Sequence, residues 1–303
     1  LRAVSIPNTV HRRIELTPRS PLTLPAAGAD GILRRRGGVL ERLLHVEDQP
    51  VLVRAAQGVA RTVLIGAWGP SRGACETALA RMRFALGIDD DLSDFHRSFA
   101  NDPLIGRAIR AAPGLRPARR PEPFEALAWA ICEQLIEYTR AVAIERRIVA
   151  RLGRQAPGTH LRDVPRPETI AATAPALLES FDLAARRALA LRRVAREITR
   201  GRIDLHAADH ETNWQRLLAI PDCGRWTVES LALHGQGRLD QVPAGDLNLL
   251  KLVGRALSGD PRARADETQV RAFFARFAPW GGLAATYLMR IGVTRPVPAG
   301  TRL

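Results

Sequence analysis

Two short segments of this 303-residue chain combine residue types and spacing that suit chemistry. The first covers residues 217–233, where Ile220-Pro221-Asp222-Cys223-Gly224-Arg225-Trp226-Thr227 sets a tight proline-containing turn between two helical patterns. A hairpin of this kind aims the unpaired backbone N–H groups of its second helix outward, where they can hold a phosphate without reading base sequence. About twenty residues later, Val242-Pro243-Ala244-Gly245-Asp246-Leu247 places a carboxylate at the start of another helix. Taken singly, each has a plainer structural reading: an ordinary helical hairpin for the first and a simple N-cap for Asp246. Other groupings are weaker. Asp204, His206, Asp209 and His210 include an H-x-x-D-H order too loose for a metal site and fall in an expected loop. Cys75, Cys132 and Cys223 are too scattered for a zinc knuckle or an iron–sulfur cluster and odd in number for a disulfide framework, which leaves buried free thiols in a reducing compartment. No glycine-rich phosphate loop, Ser-His-Asp set or Cys-x-x-Cys pair occurs.

The elements that must position these groups change character near residue 90. Residues 10–16, 40–44, 49–53 and 62–65 carry β-branched or alternating apolar side chains between Gly and Pro punctuation, as short strands do. Residues 71–87 then read as a helix with Ala74, Ala78, Met82 and Ala85 on one face. Beyond Asp89 strand signals nearly vanish. A helix from Pro123 stripes Phe124, Leu127, Ile131 and Leu135 along one side, and further helices are expected at 167–178, 183–200, 211–219, 226–234, 247–257, 268–277 and 283–292. The expected organisation is an α+β N-terminal domain over 1–90 and a helical body over 91–303, with the hairpin at about 211–234.

The formal charge is +14, and Lys251 is the only lysine, so arginine carries nearly all the positive charge. A GC-rich genome accounts for part of that arginine count but not for the sign of the net charge. Acidic partners follow, nucleic acid ahead of membrane, because no basic amphipathic anchor stands out. Arginine clusters at 34–36, 119–120, 186–187 and 192–193 read individually as solvated faces; on a shared side they would form a field attracting phosphate. No charge-free apolar run of about 18 residues occurs, and residues 1–4 open neither a secretory leader nor a membrane span, which suggests a soluble intracellular protein.

The order and gap of the hairpin and Asp246 segments resemble the helix-hairpin-helix superfamily of DNA glycosylases, most closely its 3-methyladenine-DNA glycosylase II branch. Two further segments extend the likeness. Pro123-Phe124-Glu125-Ala126-Leu127-Ala128-Trp129-Ala130-Ile131-Cys132-Glu133-Gln134-Leu135 looks like that family's early helix ending in Gly-Gln-Leu or Gly-Gln-Gln. Ala278-Pro279-Trp280 before an apolar helix looks like its C-terminal Pro-Trp segment. The resemblance covers most of the chain from Asp91 onward; before it, only an α+β architecture matches. It implies a mainly α fold with an N-terminal α+β domain and two helical subdomains flanking a cleft.

The resemblance also implies an activity, base-excision repair in which a damaged, alkylated purine is flipped out of duplex DNA and its N-glycosidic bond is hydrolysed, leaving an abasic site. Asp246 matches the catalytic aspartate, which stabilises the cationic sugar and orients or activates water. Trp226 stands where lyase-capable members place a Schiff-base lysine, so the implied enzyme is monofunctional. The indole instead suits stacking on a cationic base. Trp226, Ser230 and Met289 are the implied base pocket, and Leu135 matches the apolar wedge that fills the gap left by a flipped nucleotide. Gln134 beside it, with Pro221, Asp222, Cys223, Gly224, Arg225 and Thr227, is the implied DNA contact. No metal and no cofactor are required, although hairpin carbonyls admit a monovalent cation, and the implied partner is damaged double-stranded DNA, met by a monomer at the nucleoid in the cytoplasm.

Several residues depart from the family pattern. Asp222 replaces the first hairpin glycine and brings negative charge toward DNA. Glu133 replaces a glycine, Ser230 replaces a tyrosine found in some relatives, and Met289 and Arg290 replace an aromatic pair. With 15 aromatic residues in all, the aromatic cage looks depleted. Two alternatives therefore stand: a catalytically silent DNA-structure binder on the same fold, and a glycosylase for deaminated or oxidised bases.

Overall fold

The structure, a computed structural model, describes residues 10–59 and 61–291; residues 1–4 and Gly292, which entered the expectations above, lie outside them. The front of the chain forms β1 (Val10–Leu16), β2 (Arg34–Arg36), β3 (Val39–Val46), β4 (Gln49–Gln57) and β5 (Val63–Gly69), an antiparallel sheet in the order β1-β5-β4-β3-β2. Edge strand β1 alternates half-buried with exposed residues, while β3, β4 and β5 contribute Leu40, Val53 and Ile65 to the core. Three successive arginines carry no apolar alternation, which is why β2 was not foreseen; it is a short, charged edge paired with residues 39–41, a form that discourages pairing with another chain. Across one face lies α1 (Arg72–Leu86), burying Ala74, Ala78 and Met82 against the sheet. Ser71 caps it by accepting from the Ala74 N–H at 3.2 Å, and Gly87 ends it with a left-handed φ of 62°.

The remainder is helical: α2 (Ser93–Phe99), α3 (Gly106–Ala111), α4 (Pro123–Glu133), α5 (Tyr138–Leu152), α6 (Pro167–Ala172), α7 (Pro175–Glu179), α8 (Ala185–Thr199), α9 (His210–Leu218), α10 (Arg225–Gly235), α11 (Leu247–Ser258), α12 (Glu267–Ala275) and α13 (Gly281–Ile291). These helices make two cores. One gathers Leu127, Ile131, Ile148, Leu191, Leu217 and Leu231 from α4, α5 and α8 to α10; the other gathers Phe95, Ile109, Val253, Phe273, Phe277 and Leu288 from the segments on either side. The chain thus enters the second subdomain, crosses into the first, and returns, which leaves a cleft between them.

Three local expectations needed correction. Residues 137–140, read as a polar break, open α5, whose apolar face is interrupted in sequence by Glu145, Arg146 and Arg147. The helix expected over 167–178 is two, because Pro175 lacks an N–H and sits in the first turn of α7. Strand pairing also reappears in the body: β6 (Arg154–Gln155) and β7 (Arg162–Asp163) form a small hairpin that packs against β3.

Buried charges tie the sheet to the helical body. Arg42 of β3 reaches Glu125 of α4 at 2.5 Å, His45 Nδ1 lies 3.1 Å from Asp163, and Arg120 pairs with Asp30 at 2.8 Å. These groups fix where α4 sits, and α4 carries one wall of the cleft. Among the described residues no helix is long and apolar enough to cross a membrane.

Candidate active site

The cleft between the two helical cores encloses about 470 Å³, and its walls include Trp129, Glu133, Trp226, Asp246 and Met289. α4 and α10 form one side and approach closely at Gly235, where a Cβ would stand 2.8 Å from Ala126 Cβ and 3.1 Å from Pro123 Cα. Asp246 is half-buried on the other side as the N-cap of α11. Its Oδ1 accepts from the Asn248 N–H (2.8 Å) and the Leu249 N–H (3.2 Å). Both capping bonds fall on one oxygen, so the N-cap reading and a chemical role are compatible: the cap locks the rotamer and does not use Oδ2. The loop before Asp246 is pinned as well. Glu229 of α10 accepts from the Ala244 N–H at 3.2 Å and is ion-paired with Arg271, which also meets Glu267 at 3.2 Å. Burial raises the Glu229 pKa, opposed by the Arg271 guanidinium.

The hairpin joins α9 to α10 as expected. Asp222 takes the left-handed conformation that its missing glycine would have supplied, with φ 67°, and its carboxylate pairs with Arg186 at 2.8 Å. The negative charge expected to oppose DNA therefore has a cationic partner at the surface. Pro221, Gly224 and Arg225 are exposed, and the first turn of α10 has no side-chain cap, which leaves the N–H groups of Arg225 and Trp226 open while that of Thr227 donates to the Gly224 carbonyl. Cys223 and Thr227 bury their side chains, so only their backbone groups can face a ligand. Gln134 is engaged inward: its amide donates to the Asp222 carbonyl at 3.0 Å and to Thr227 Oγ1 at 2.8 Å. The next residue, Leu135, is fully exposed at 104% and left-handed at φ 53°. An apolar side chain held in solvent on strained backbone is a feature stability alone does not explain.

The cleft also holds charges that sequence reasoning did not identify as a site. Glu133 ends α4 in the cleft wall, hydrogen-bonded to Glu145 of α5, which is buried. Burial and the neighbouring Glu133 push the Glu145 pKa up to about 8. Burial likewise raises Glu133, opposed by Arg120 and by the hydrogen bond with Glu145 and assisted by Asp246. On the same wall, burial and the nearby Arg120 lower His234 to about 4, leaving a neutral imidazole at neutral pH. Burial pushes the Cys223 thiol up to about 12, and all three cysteines are buried and free.

Of the pocket residues expected from sequence, Trp226, Ser230 and Met289 all line the cleft with Asp246. The aromatic surface is fuller than expected, because Trp129 of α4 and Tyr138 from the unforeseen start of α5 line it too. Trp280, from the Pro-Trp segment, packs edge-on against Phe95 and Phe99 in the second core. Lys251 is not among the cleft-lining residues. The loose His–Asp group is spent locally: Asp209 caps α9, the Asp204 carboxylate accepts from the His206 N–H, and His206 pairs with Glu122. Glu229 was missed because it sits in an apolar helical stretch, and Glu145 because it shares a charged run with Arg146 and Arg147, with nothing in spacing to mark either.

A family model described as the HhH-GPD superfamily of base excision DNA repair proteins matches residues 128–278. The chain is 30% identical over 219 residues to a probable bifunctional transcriptional activator/DNA repair enzyme AlkA of Mycobacterium tuberculosis, covering 70% of this chain and 42% of that relative's length. The fold superposes on a 3-methyladenine DNA-glycosylase from Archaeoglobus fulgidus with a TM-score of 0.76 and 21% identity, over 92% of this chain and 99% of that one. It also superposes on the Schizosaccharomyces pombe 3-methyladenine DNA glycosylase Mag1, solved with abasic DNA, with a TM-score of 0.55 and 26% identity, over 66% and 96% of the two chains. The matched segment contains the end of α4, the hairpin and Asp246, the parts that build the cleft; the chain belongs to the HhH-GPD superfamily of base excision DNA repair proteins.

Proposed function

We propose that the protein is a monofunctional DNA glycosylase that everts a damaged purine into the cleft and hydrolyses its N-glycosidic bond. The observation that carries this reading is Asp246, fixed by its own capping bonds in the wall of a cleft that also presents Trp226. As the C1′–N bond lengthens, positive charge grows on the sugar; a preset carboxylate in a partly desolvated cleft stabilises it and orients the attacking water. Trp226 offers an indole face to the base, and Ser230 and Met289 bound the pocket. Outside the cleft, the uncapped start of α10 and Arg225 hold phosphate, and Leu135 fills the vacated position in the stack, offsetting an unstacking cost of a few kcal/mol. The Gln134 bonds support the view that grip and wedge act as one unit.

The silent-binder alternative drew on Asp222, Glu133 and the thin cage; Arg186 weakens the first motive and the extra cleft aromatics the last. The Ile220 and Asp222 carbonyls each accept one hydrogen bond and the Gly224 carbonyl accepts two, so a monovalent cation at the hairpin would use the remaining lone pairs of Ile220 and Asp222, and no step depends on it. The test is base release from duplexes bearing alkylated, deaminated or oxidised bases, with borohydride present in a parallel reaction. Release of an alkylated purine without a trapped adduct is expected. Salt-sensitive binding with no base released supports the silent binder instead, and a trapped covalent adduct contradicts the monofunctional assignment.

A further inference from the structure

Five non-glycine residues among the described residues have a left-handed φ, and three of them, Leu135, Asp182 and Asp222, belong to the hairpin and the segments tied to it. Each of the two aspartates holds an exposed arginine. Asp222 Oδ1 lies 2.8 Å from Nη2 of Arg186, whose side chain is 85% exposed. Asp182 accepts from Nε and Nη2 of Arg140 at 2.8 and 2.7 Å, and that side chain is 58% exposed. Arg140 stands in the first turn of α5, five residues beyond Leu135, and Arg186 in the first turn of α8, just after Asp182. Arg187, next on α8, donates to the Cys132 carbonyl at 2.7 Å and so ties the start of α8 to the end of α4. Exposed ion pairs add little to stability, and a helix's first turn disfavours cations, so folding alone does not account for these arginines. Glu137 is a further exposed carboxylate here, while Arg147, Arg187 and Arg225 keep the balance positive.

We propose that Arg140 and Arg186 are phosphate ligands, held in place by Asp182 and Asp222, that grip the DNA backbone beside the nucleotide Leu135 displaces. The inference rests on the DNA-binding part of the reading above and deepens it, since it adds α5 and α8 to the contact made by α10. A guanidinium carries five N–H donors; Asp182 takes two from Arg140 and leaves three in a planar fork that suits phosphate oxygens. A side chain already set by a carboxylate loses less freedom when it binds. A grip near the wedge also resists recoil of the bent backbone while Leu135 occupies the stack. The pair gives Asp222 a use at a position where glycine is expected: its carboxylate, instead of opposing phosphate, orients one of the groups that bind it.

The experiment is an anisotropy titration of the full chain against a duplex carrying a tetrahydrofuran abasic site, repeated from about 50 to about 300 mM KCl. Arg140→Ala and Arg186→Ala should each weaken binding by about 10-fold or more. Each should also flatten the slope of log affinity against log salt by about 0.9, and the double variant by about 1.8. If Arg186 served only to neutralise Asp222, Arg186→Ala would cost nothing once Asp222→Gly had removed that charge, and glycine adopts the left-handed turn freely. The grip predicts the same loss and the same flattening in the Asp222→Gly background. An unchanged slope in both single variants, or a silent Arg186→Ala in that background, overturns the proposal. So does a loss that varies with the base opposite the abasic site while the slope holds, because it assigns the arginines to base edges. Intact salt-sensitive binding with no base released from damaged duplexes overturns the glycosylase reading alone; no binding of duplex by wild type overturns both.

Discussion

Gln134 separates positioning from contact. Its amide nitrogen spans the gap between the end of α4 and the hairpin, with bonds of 3.0 Å to the Asp222 carbonyl and 2.8 Å to the buried Thr227 hydroxyl. Gln134→Ala removes both. At about 0.5–1.5 kcal/mol net per bond, the loss is about 1–3 kcal/mol. For a chain of this length that lowers the melting temperature by roughly 2 °C per kcal/mol, hence by a few degrees. Because Leu135 follows directly, its placement loosens as well, and affinity for damaged duplex should weaken together with stability. Thr227→Val removes one of the same bonds from the other end, so the two substitutions should be non-additive by about 0.5 kcal/mol or more. Thermal melts of the two single variants and the double, with anisotropy titrations against damaged duplex, read all of these quantities. An unchanged melt with weakened binding, or full additivity with Thr227→Val, would refute the reasoning, because either result assigns the Gln134 side chain to DNA rather than to the hairpin.

Three further outcomes follow from the geometry. Leu135→Gly relieves a left-handed backbone that costs a non-glycine residue about 1 kcal/mol, so melts should match or slightly exceed wild type while base release slows; a destabilised variant counts against the wedge. Glu125→Ala strips the buried Arg42 of its bidentate partner and leaves it only Asp163 at 3.8 Å, and denaturant titration should show a loss of about 3 kcal/mol, mostly recovered when Arg42→Met is added. The Glu145 carboxyl ionises near 4.5 when unfolded and near 8 when folded. The native state therefore holds a proton that the unfolded chain has released across that window, and stability falls as pH rises through it. Glu145→Gln removes that contribution, so its gain over wild type should grow from pH 4 to pH 8, on the order of a few kcal/mol; an equal difference at both pH values contradicts the assignment.

What could be read from residues alone follows physical lines. α1, capped by Ser71 and Gly87 and apolar along one face, was legible because local chemistry and burial agree there, and α10 was legible from the proline turn that starts it, although it has no side-chain cap. β2 and α5 were not, because Arg34–Arg36 make an edge through backbone pairing alone and Glu145 interrupts the stripe of α5 while buried beside Glu133. The same division runs through the site. Asp246, Trp226 and Leu135 stand in recognisable segments, whereas Tyr138, Glu145 and Glu229 reach the cleft or its supports only through tertiary packing. Asp222 shows the converse: a residue that looked unfavourable by type is accommodated by an arginine 36 positions earlier in the chain, a pairing no local pattern announces.

The central claim is that the Asp246 carboxylate, held in the cleft by its capping bonds, supplies the charge that breaks the glycosidic bond. Single-turnover base release by Asp246→Asn, beside its affinity for the same damaged duplex, tests it most directly. Asparagine can keep the cap through its side-chain oxygen, so stability and affinity should stay close to wild type while release falls by about 100-fold or more. Release at the wild-type rate from a folded, DNA-binding Asp246→Asn protein would contradict the account.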